Sequence, residues 1–89
     1  MAPDAAKTYK KLSARIRSHV RDALELQLRH EPTKVSKSRI KRLRGLSRPQ
    51  YRLRIDEIRV FYDVKKTTVE ILAILQKADA QRWLNEEGA

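Results

Sequence analysis

The chain has 89 residues and no cysteine, so neither disulfides nor thiolate metal sites help to hold it together. A domain this small buries only about two-thirds of the surface its unfolded chain exposes, which leaves a thin stability margin. The formal net charge of +10 and the pI near 10.4 disfavour cationic partners and favour polyanions.

No apolar run is long enough to span a membrane, and residues 1–30 lack the apolar core of a signal peptide. A single soluble, cytoplasmic domain over residues 1–89 is therefore expected. The charge is unevenly spread. Between Glu31 and Asp56 there is no acidic residue, while Lys34, Lys37, Arg39, Lys41, Arg42, Arg44, Arg48, Arg52 and Arg54 all lie there. Such a block is a solvated basic surface, a phosphate-binding footprint, an anchor for an acidic protein, or both of the last two.

In chain order, Pro3-Asp4 reads as a helix start. Tyr9, Leu12, Ile16, Val20, Ala23, Leu24 and Leu28 then recur at spacings of three and four, the helical period. Ser13 suits an N-cap, so the spacing predicts a helical hairpin over roughly 4–12 and 14–30. Pro32 disfavours helical geometry at Glu31 and closes the helical region.

Residues 33–49 hold Ser, Gly45 and Pro49 among basic residues and read as a connecting segment, pinned to the core by Leu43 and Leu46. Three strands follow, Gln50–Ile55, Ile58–Val64 and Thr68–Leu75, broken at Asp56-Glu57 and Lys65-Lys66-Thr67. Asp79 suits the cap of a short last helix through Trp83 and Leu84, before a frayed "NEEGA" end. The fold class is α+β, with the N-terminal helical hairpin packed on a three-stranded antiparallel sheet and a short C-terminal helix.

With Asp56-Glu57 as the turn, residue 55 pairs with 58, 54 with 59, 53 with 60, 52 with 61 and 51 with 62. One face then carries Tyr51, Leu53, Ile55, Ile58, Val60 and Tyr62, and pairing Val64 with Val69 extends it through Ile71, Ala73 and Leu75. The other face carries Arg52, Arg54, Arg59, Phe61, Leu72 and Ile74. Arg54 opposite Arg59 is a like-charged pair that destabilises a hairpin by up to ~1 kcal/mol. An external anion such as a phosphodiester would relieve it. So would splaying of the arginines into water, or a fold-back of Asp56, Glu57 or Asp79. The apolar part of this face needs a cover, either the last helix through Trp83 and Leu84 or a partner.

Other chemistry is poorly supported. His19 and His30 stand alone, which argues against a metal site, and the chain has only two glycines and no phosphate-cradling loop. Ser13, Ser18, Ser36, Ser38 and Ser47 have no triad-like context. No cofactor is expected. A lone Trp83 on an amphipathic helix reads as a core anchor before it reads as a base-stacking platform.

In combination, "KRLRGL" at 41–46, "YRLRIDEIRVFYDV" at 51–64 and "VEILAIL" at 69–75, after a helical hairpin, resemble the RelE/ParE superfamily of bacterial toxins from type II toxin–antitoxin pairs. The resemblance runs from about Asp4 to Leu84. It implies a four-stranded sheet and a growth-arresting toxin neutralised by an acidic, partly disordered antitoxin. RelE-like members are ribosome-dependent mRNA endoribonucleases (mRNA interferases) that inhibit translation, whereas ParE-like members poison DNA gyrase.

Carried over by position, the nuclease reading gives Arg52, Arg54 and Arg59 the catalytic places around the scissile phosphate. Lys41, Arg42, Arg44, Arg48, Lys77 and Arg82 are then the RNA-binding residues, with ribosome and mRNA as partners. A gyrase inhibitor and a catalytically weak RNA- or ribosome-binding module of the same fold are the alternatives. The chain departs from the family pattern in three ways. Arginine stands where the nucleases carry two strand lysines, and an arginine is a clamp rather than a base. "QKADAQRWL" has Lys77, Arg82 and Trp83 only near the family's C-terminal arginine and tyrosine. Family members usually begin with a strand before the first helix, and here only Met1-Ala2-Pro3 precede Asp4; either the chain is trimmed at its start or a neighbouring chain supplies that strand, and without it a sheet edge is open to antitoxin or to a second copy.

Overall fold

The computed structural model describes residues 1–36 and 39–89; Lys37 of the basic block, and Ser38, lie outside the described residues. Helix α1 spans Pro3–Lys11 and α2 spans Ala14–Leu28. Pro3 opens α1 with its ring-fixed φ, Asp4 lies in the first turn, and Lys10 and Lys11 lie in the last, all in keeping with the helix dipole. The extended Leu12 ends it. Ser13 caps α2 by accepting the Ile16 N–H at 3.3 Å, the N-cap role its position implies. The Arg17 guanidinium donates to the Lys10 and Leu12 carbonyls (3.2 and 3.4 Å), so α2 also closes the C-terminal end of α1.

Four strands follow: β1 (Ile40–Arg42), β2 (Tyr51–Ile55), β3 (Ile58–Lys65) and β4 (Thr68–Gln76). They form one antiparallel sheet in the order β1-β2-β3-β4. Strand β1 corrects the reading of 33–49 as connection throughout. It has three residues and one apolar side chain, Ile40, too short a run for period-2 alternation to show. Ser36 prepares it, its Oγ accepting from the Arg39 and Ile40 N–H groups.

The β2–β3 register is the one expected, from Ile55 opposite Ile58 to Tyr51 opposite Tyr62. Asp56 takes the left-handed φ (51°) that the turn needs. The β3–β4 pairing starts as expected, with Val64 opposite Val69 and Tyr62 opposite Ile71. It then shifts by one residue, so that Phe61 faces Ala73, Val60 faces Ile74 and Arg59 faces Leu75. A β-bulge at Leu72 is the cause, since one extra residue reverses the alternation beyond it. Ile74 therefore lies on the core face and Ala73 and Leu75 on the arginine face, the reverse of expectation.

The main core lies between the helices and the sheet. Ala5, Val20, Leu28, Ile40, Leu53, Ile55, Ile58, Val60, Tyr62 and Ile74 are buried together there. Tyr62 stacks on Tyr51 (5.4 Å between ring centroids), and its hydroxyl donates to the Pro32 carbonyl at 2.6 Å, which ties the chain leaving α2 to the core. Ile16, although on the apolar stripe, is exposed. It lines an open groove of about 840 Å³ with Ile55 and Ile58, where α2 begins beside the β2–β3 turn.

Helix α3 (Lys77–Glu87) packs on the opposite face of the sheet, where Trp83 stacks on Phe61 at 5.2 Å with the rings 11° from parallel. It starts two residues before Asp79, and the expected frayed end is instead helical through Glu87. Ala89 holds that end down: its carbonyl accepts from the Ser47 and Arg48 N–H groups and its N–H donates to the Arg48 carbonyl. Ala2 donates to the Ile71 carbonyl (2.7 Å) on the outer edge of β4.

Candidate polyanion-binding face

The arginine face is built by strand alternation. Lys41 pairs with Arg52, Arg52 with Phe61, and Arg54 with Arg59, so four cations from three adjacent strands share one side of the sheet. Their environments differ. Arg54 is exposed. Arg59 is only 7% exposed, and one guanidinium nitrogen donates to the Asp56 and Ile58 carbonyls (2.6 and 3.1 Å). Those bonds use that nitrogen's protons without neutralising the charge. Arg52 is half-buried and its Nε is buried with no hydrogen-bond partner. Burial first, then the Arg59 and Arg54 charges, hold its guanidinium below the usual arginine pKa.

Among the described residues no carboxylate lies within ion-pairing distance of Arg52, Arg54 or Arg59. The acids that were candidates for fold-back are engaged elsewhere or stand apart. Asp56 meets the His19 Nε2 at 2.9 Å, and Asp79 meets Arg82 at 3.2 Å. No ion pair described involves Glu57. His19 is therefore not isolated, as its sequence context suggested, because the β2–β3 turn brings Asp56 to it. The three arginines also lack a hydrogen bond to any histidine, carboxylate or tyrosine hydroxyl among the described residues. The face can clamp an anion and stabilise developing negative charge, and among the described residues none of its arginines is hydrogen-bonded to a side-chain proton acceptor.

The other expected RNA-binding residues divide. Lys41 joins the face through Arg52, and Arg44 lies exposed on the turn that follows β1. Arg42 points to the helix side and stacks over the Tyr51 ring at 5.0 Å. Arg48 bridges Glu70 (2.9 Å) and the buried Asp63 (3.7 Å), which pair across β3 and β4 at the far end of the sheet. Arg82 is held by Asp79 on α3. Lys77 is exposed at the start of α3, and its backbone N–H donates to the Glu57 carbonyl (2.7 Å).

Residues outside the expected set also border this region. The Arg39 carbonyl accepts from the Arg54 N–H (2.8 Å), and both residues line a hollow of about 240 Å³ with His19 and Asp56. Arg39 lies two residues before Lys41, so period-2 alternation carried back from Lys41 would have found it. Gln81 and Asn85 line a groove against β1. Their i,i+4 spacing was the available signal, but nothing local to α3 indicated which surface that face would meet.

No group of three or more His, Cys, Asp or Glu among the described residues is placed to hold a metal ion. No described helix is long and apolar enough to cross a membrane. A family model described as the ParE toxin of the type II toxin–antitoxin system, parDE, matches residues 1–81. The chain belongs to the ParE toxin family. No curated protein and no solved structure matches it. Family membership makes it a RelE/ParE-type toxin of a type II toxin–antitoxin system, with a cognate antitoxin as partner. In this ParE-family toxin the arginines and the Phe61–Trp83 contact of α3 share one side of the sheet.

Proposed function

We propose that this toxin grips the phosphodiester backbone of messenger RNA on its arginine face and arrests growth by cleaving mRNA on the ribosome, in the cytoplasm. The observation that supports this is the convergence of Arg52, Arg54 and Arg59 with no carboxylate counterion among the described residues. Keeping partly buried cations unpaired costs about several kcal/mol in a protein interior, a penalty that a bound phosphate offsets. Arg54 makes the exposed contact, Arg52 offers unused donors, and Arg59 holds a fixed positive charge behind them. Lys41 and Arg44 extend the track.

The chemistry compatible with a clamp is attack by the ribose 2′-oxygen on its own 3′-phosphorus. The new bond is P–O2′ and the broken bond is P–O5′, leaving a 2′,3′-cyclic phosphate and a 5′-hydroxyl. The arginines stabilise the pentacovalent dianion and hold the 2′-oxygen in line. The 2′-proton leaves to water or to a ribosomal group, and solvent protonates the departing 5′-oxygen. A slow, ribosome-assisted enzyme is expected, because an arginine is a clamp rather than a base. An acidic antitoxin would cover the same cations, and its reading frame should lie next to this one. The outer edge of β4 would accept a strand from antitoxin or from a second copy.

Gyrase inhibition is the second reading, favoured by the family description and by arginines standing where a nuclease needs a proton acceptor. Expression in a bacterium with mapping of transcript ends separates the two. Codon-positioned cuts that vanish in Arg54→Ala support the nuclease, and a DNA-damage response with intact transcripts supports gyrase. Absence of any growth effect would leave a non-toxic RNA- or ribosome-binding module.

A further inference from the structure

The turn between β2 and β3 gathers groups that the phosphate clamp does not use. His19, on the exposed side of α2, places Nε2 at 2.9 Å from Asp56 Oδ2 on that turn. The turn is also tied to the arginine face, because the Asp56 carbonyl accepts from the Arg59 guanidinium at 2.6 Å. Arg39 and Arg54 line the same hollow as His19 and Asp56, and among the described residues neither arginine has an ion-pair partner. The hollow measures about 240 Å³. That is the space of about eight liquid waters, room for a phosphate group and the ribose hydroxyl beside it.

We infer that His19 is the proton acceptor for the RNA cleavage proposed above, with Asp56 as its positioning residue. A neutral imidazole that donates its Nε2 proton to a carboxylate carries its lone pair on Nδ1. An imidazole of this kind accepts a proton in neutral water, which a guanidinium does not. With a phosphate held by Arg39 and Arg54, Nδ1 takes the 2′-proton as the ribose 2′-oxygen attacks phosphorus. The P–O2′ bond forms and the P–O5′ bond breaks. Solvent protonates the departing 5′-oxygen, and the imidazolium returns its proton to water. Asp56 fixes the tautomer and stabilises the imidazolium while it lasts. His19 thus takes the place of water or a ribosomal group as first acceptor of the 2′-proton, and the reacting phosphate lies at the Arg54 end of the face. The inference rests on the RNA reading above and adds to it the base that the arginines do not supply.

The test is single-turnover cleavage of mRNA on programmed ribosomes by the full chain, beside its affinity for an uncleavable 2′-deoxy substituted RNA. His19→Ala and His19→Gln should each slow cleavage by about a hundredfold, with that affinity unchanged. Imidazole added to the buffer should restore part of the rate to His19→Ala and leave the unaltered chain as it was. Asp56→Asn suits the left-handed φ of 51° at the turn. It should slow the unaltered chain but have no further effect in the His19→Ala background. An exposed pair adds little to stability, so the melting temperature should stay the same in every variant. Undiminished cleavage by either His19 variant, a loss that imidazole does not restore, or a matching loss of RNA affinity overturns the base and leaves the clamp standing. An additive effect of Asp56→Asn does the same for the positioning role. An unaltered chain that cuts no mRNA on the ribosome overturns the RNA reading and the base together.

Discussion

Arg54 faces Arg59 directly across the β2–β3 hairpin, one side chain in solvent and the other buried and bonded to two backbone carbonyls. Two like charges in this arrangement weaken the hairpin unless an anion sits between them. Arg54→Ala should therefore leave stability unchanged or raise it by up to ~0.5 kcal/mol in urea unfolding. The same change should weaken single-stranded RNA binding and reduce the slope of log K against log salt by about 0.7. A clear loss of stability would show that the pair is not repulsive.

Arg52 is a sharper case, because its Nε is buried without a partner. Arg52→Met keeps much of the stem that packs beside Phe61 and removes the uncompensated charge. The variant should unfold at a higher temperature, by about 1 kcal/mol of stability, while losing affinity for RNA. Inorganic phosphate should raise the melting temperature of the unaltered chain more than that of the variant. Equal responses would place the anion elsewhere.

The stack of Trp83 on Phe61 is the main aromatic contact that fastens α3 to the sheet. Trp83→Ala should cost about 2–4 kcal/mol and expose Phe61, with increased amide exchange over residues 77–87. Trp83→Phe should recover most of the loss. Unchanged exchange in the alanine variant would mean that the Ala89 bonds alone hold the helix down.

Tyr62 is pushed well above the usual tyrosine range by burial first and by the stacked Tyr51 second. The folded state thus holds the phenol proton more tightly than the unfolded chain does. The resulting stability is fully present below the unfolded value of about 10 and is lost as pH rises above it. Tyr62→Phe should cost about 1 kcal/mol at neutral pH, because the Pro32 carbonyl loses its donor, and should flatten the alkaline loss of stability. Paired urea titrations from pH 8 to pH 11 measure the difference between the two proteins, which cancels the lysines and arginines common to both.

At the far end of the sheet, Asp63 is buried, accepts the Gln50 N–H at 2.8 Å and meets Arg48, whereas Glu70 is half-exposed. Asp63→Ala should destabilise by about 1–3 kcal/mol and Glu70→Ala by less than about 1. Neither should change RNA affinity by much if the clamp is at Arg52, Arg54 and Arg59.

What the sequence alone determined is what short-range periodicity carries. The Ser13 cap, the hairpin register around Asp56-Glu57 and the meeting of Arg54 with Arg59 all follow from alternation and turn chemistry over fewer than about twenty residues. Tertiary structure decided the rest. The bulge at Leu72 depends on how β4 settles against β3, so residues 73–75 exchanged faces without any local signal. Strand β1 exists because Tyr51–Leu53 offers it an edge, and its own three residues are too few to announce it. Asp56 found His19 and Arg48 found Asp63 and Glu70, and those long-range pairings left the arginines of the sheet without a carboxylate among the described residues. Alternation assigns a side chain to a face; only packing of distant segments settles which charges on that face are neutralised.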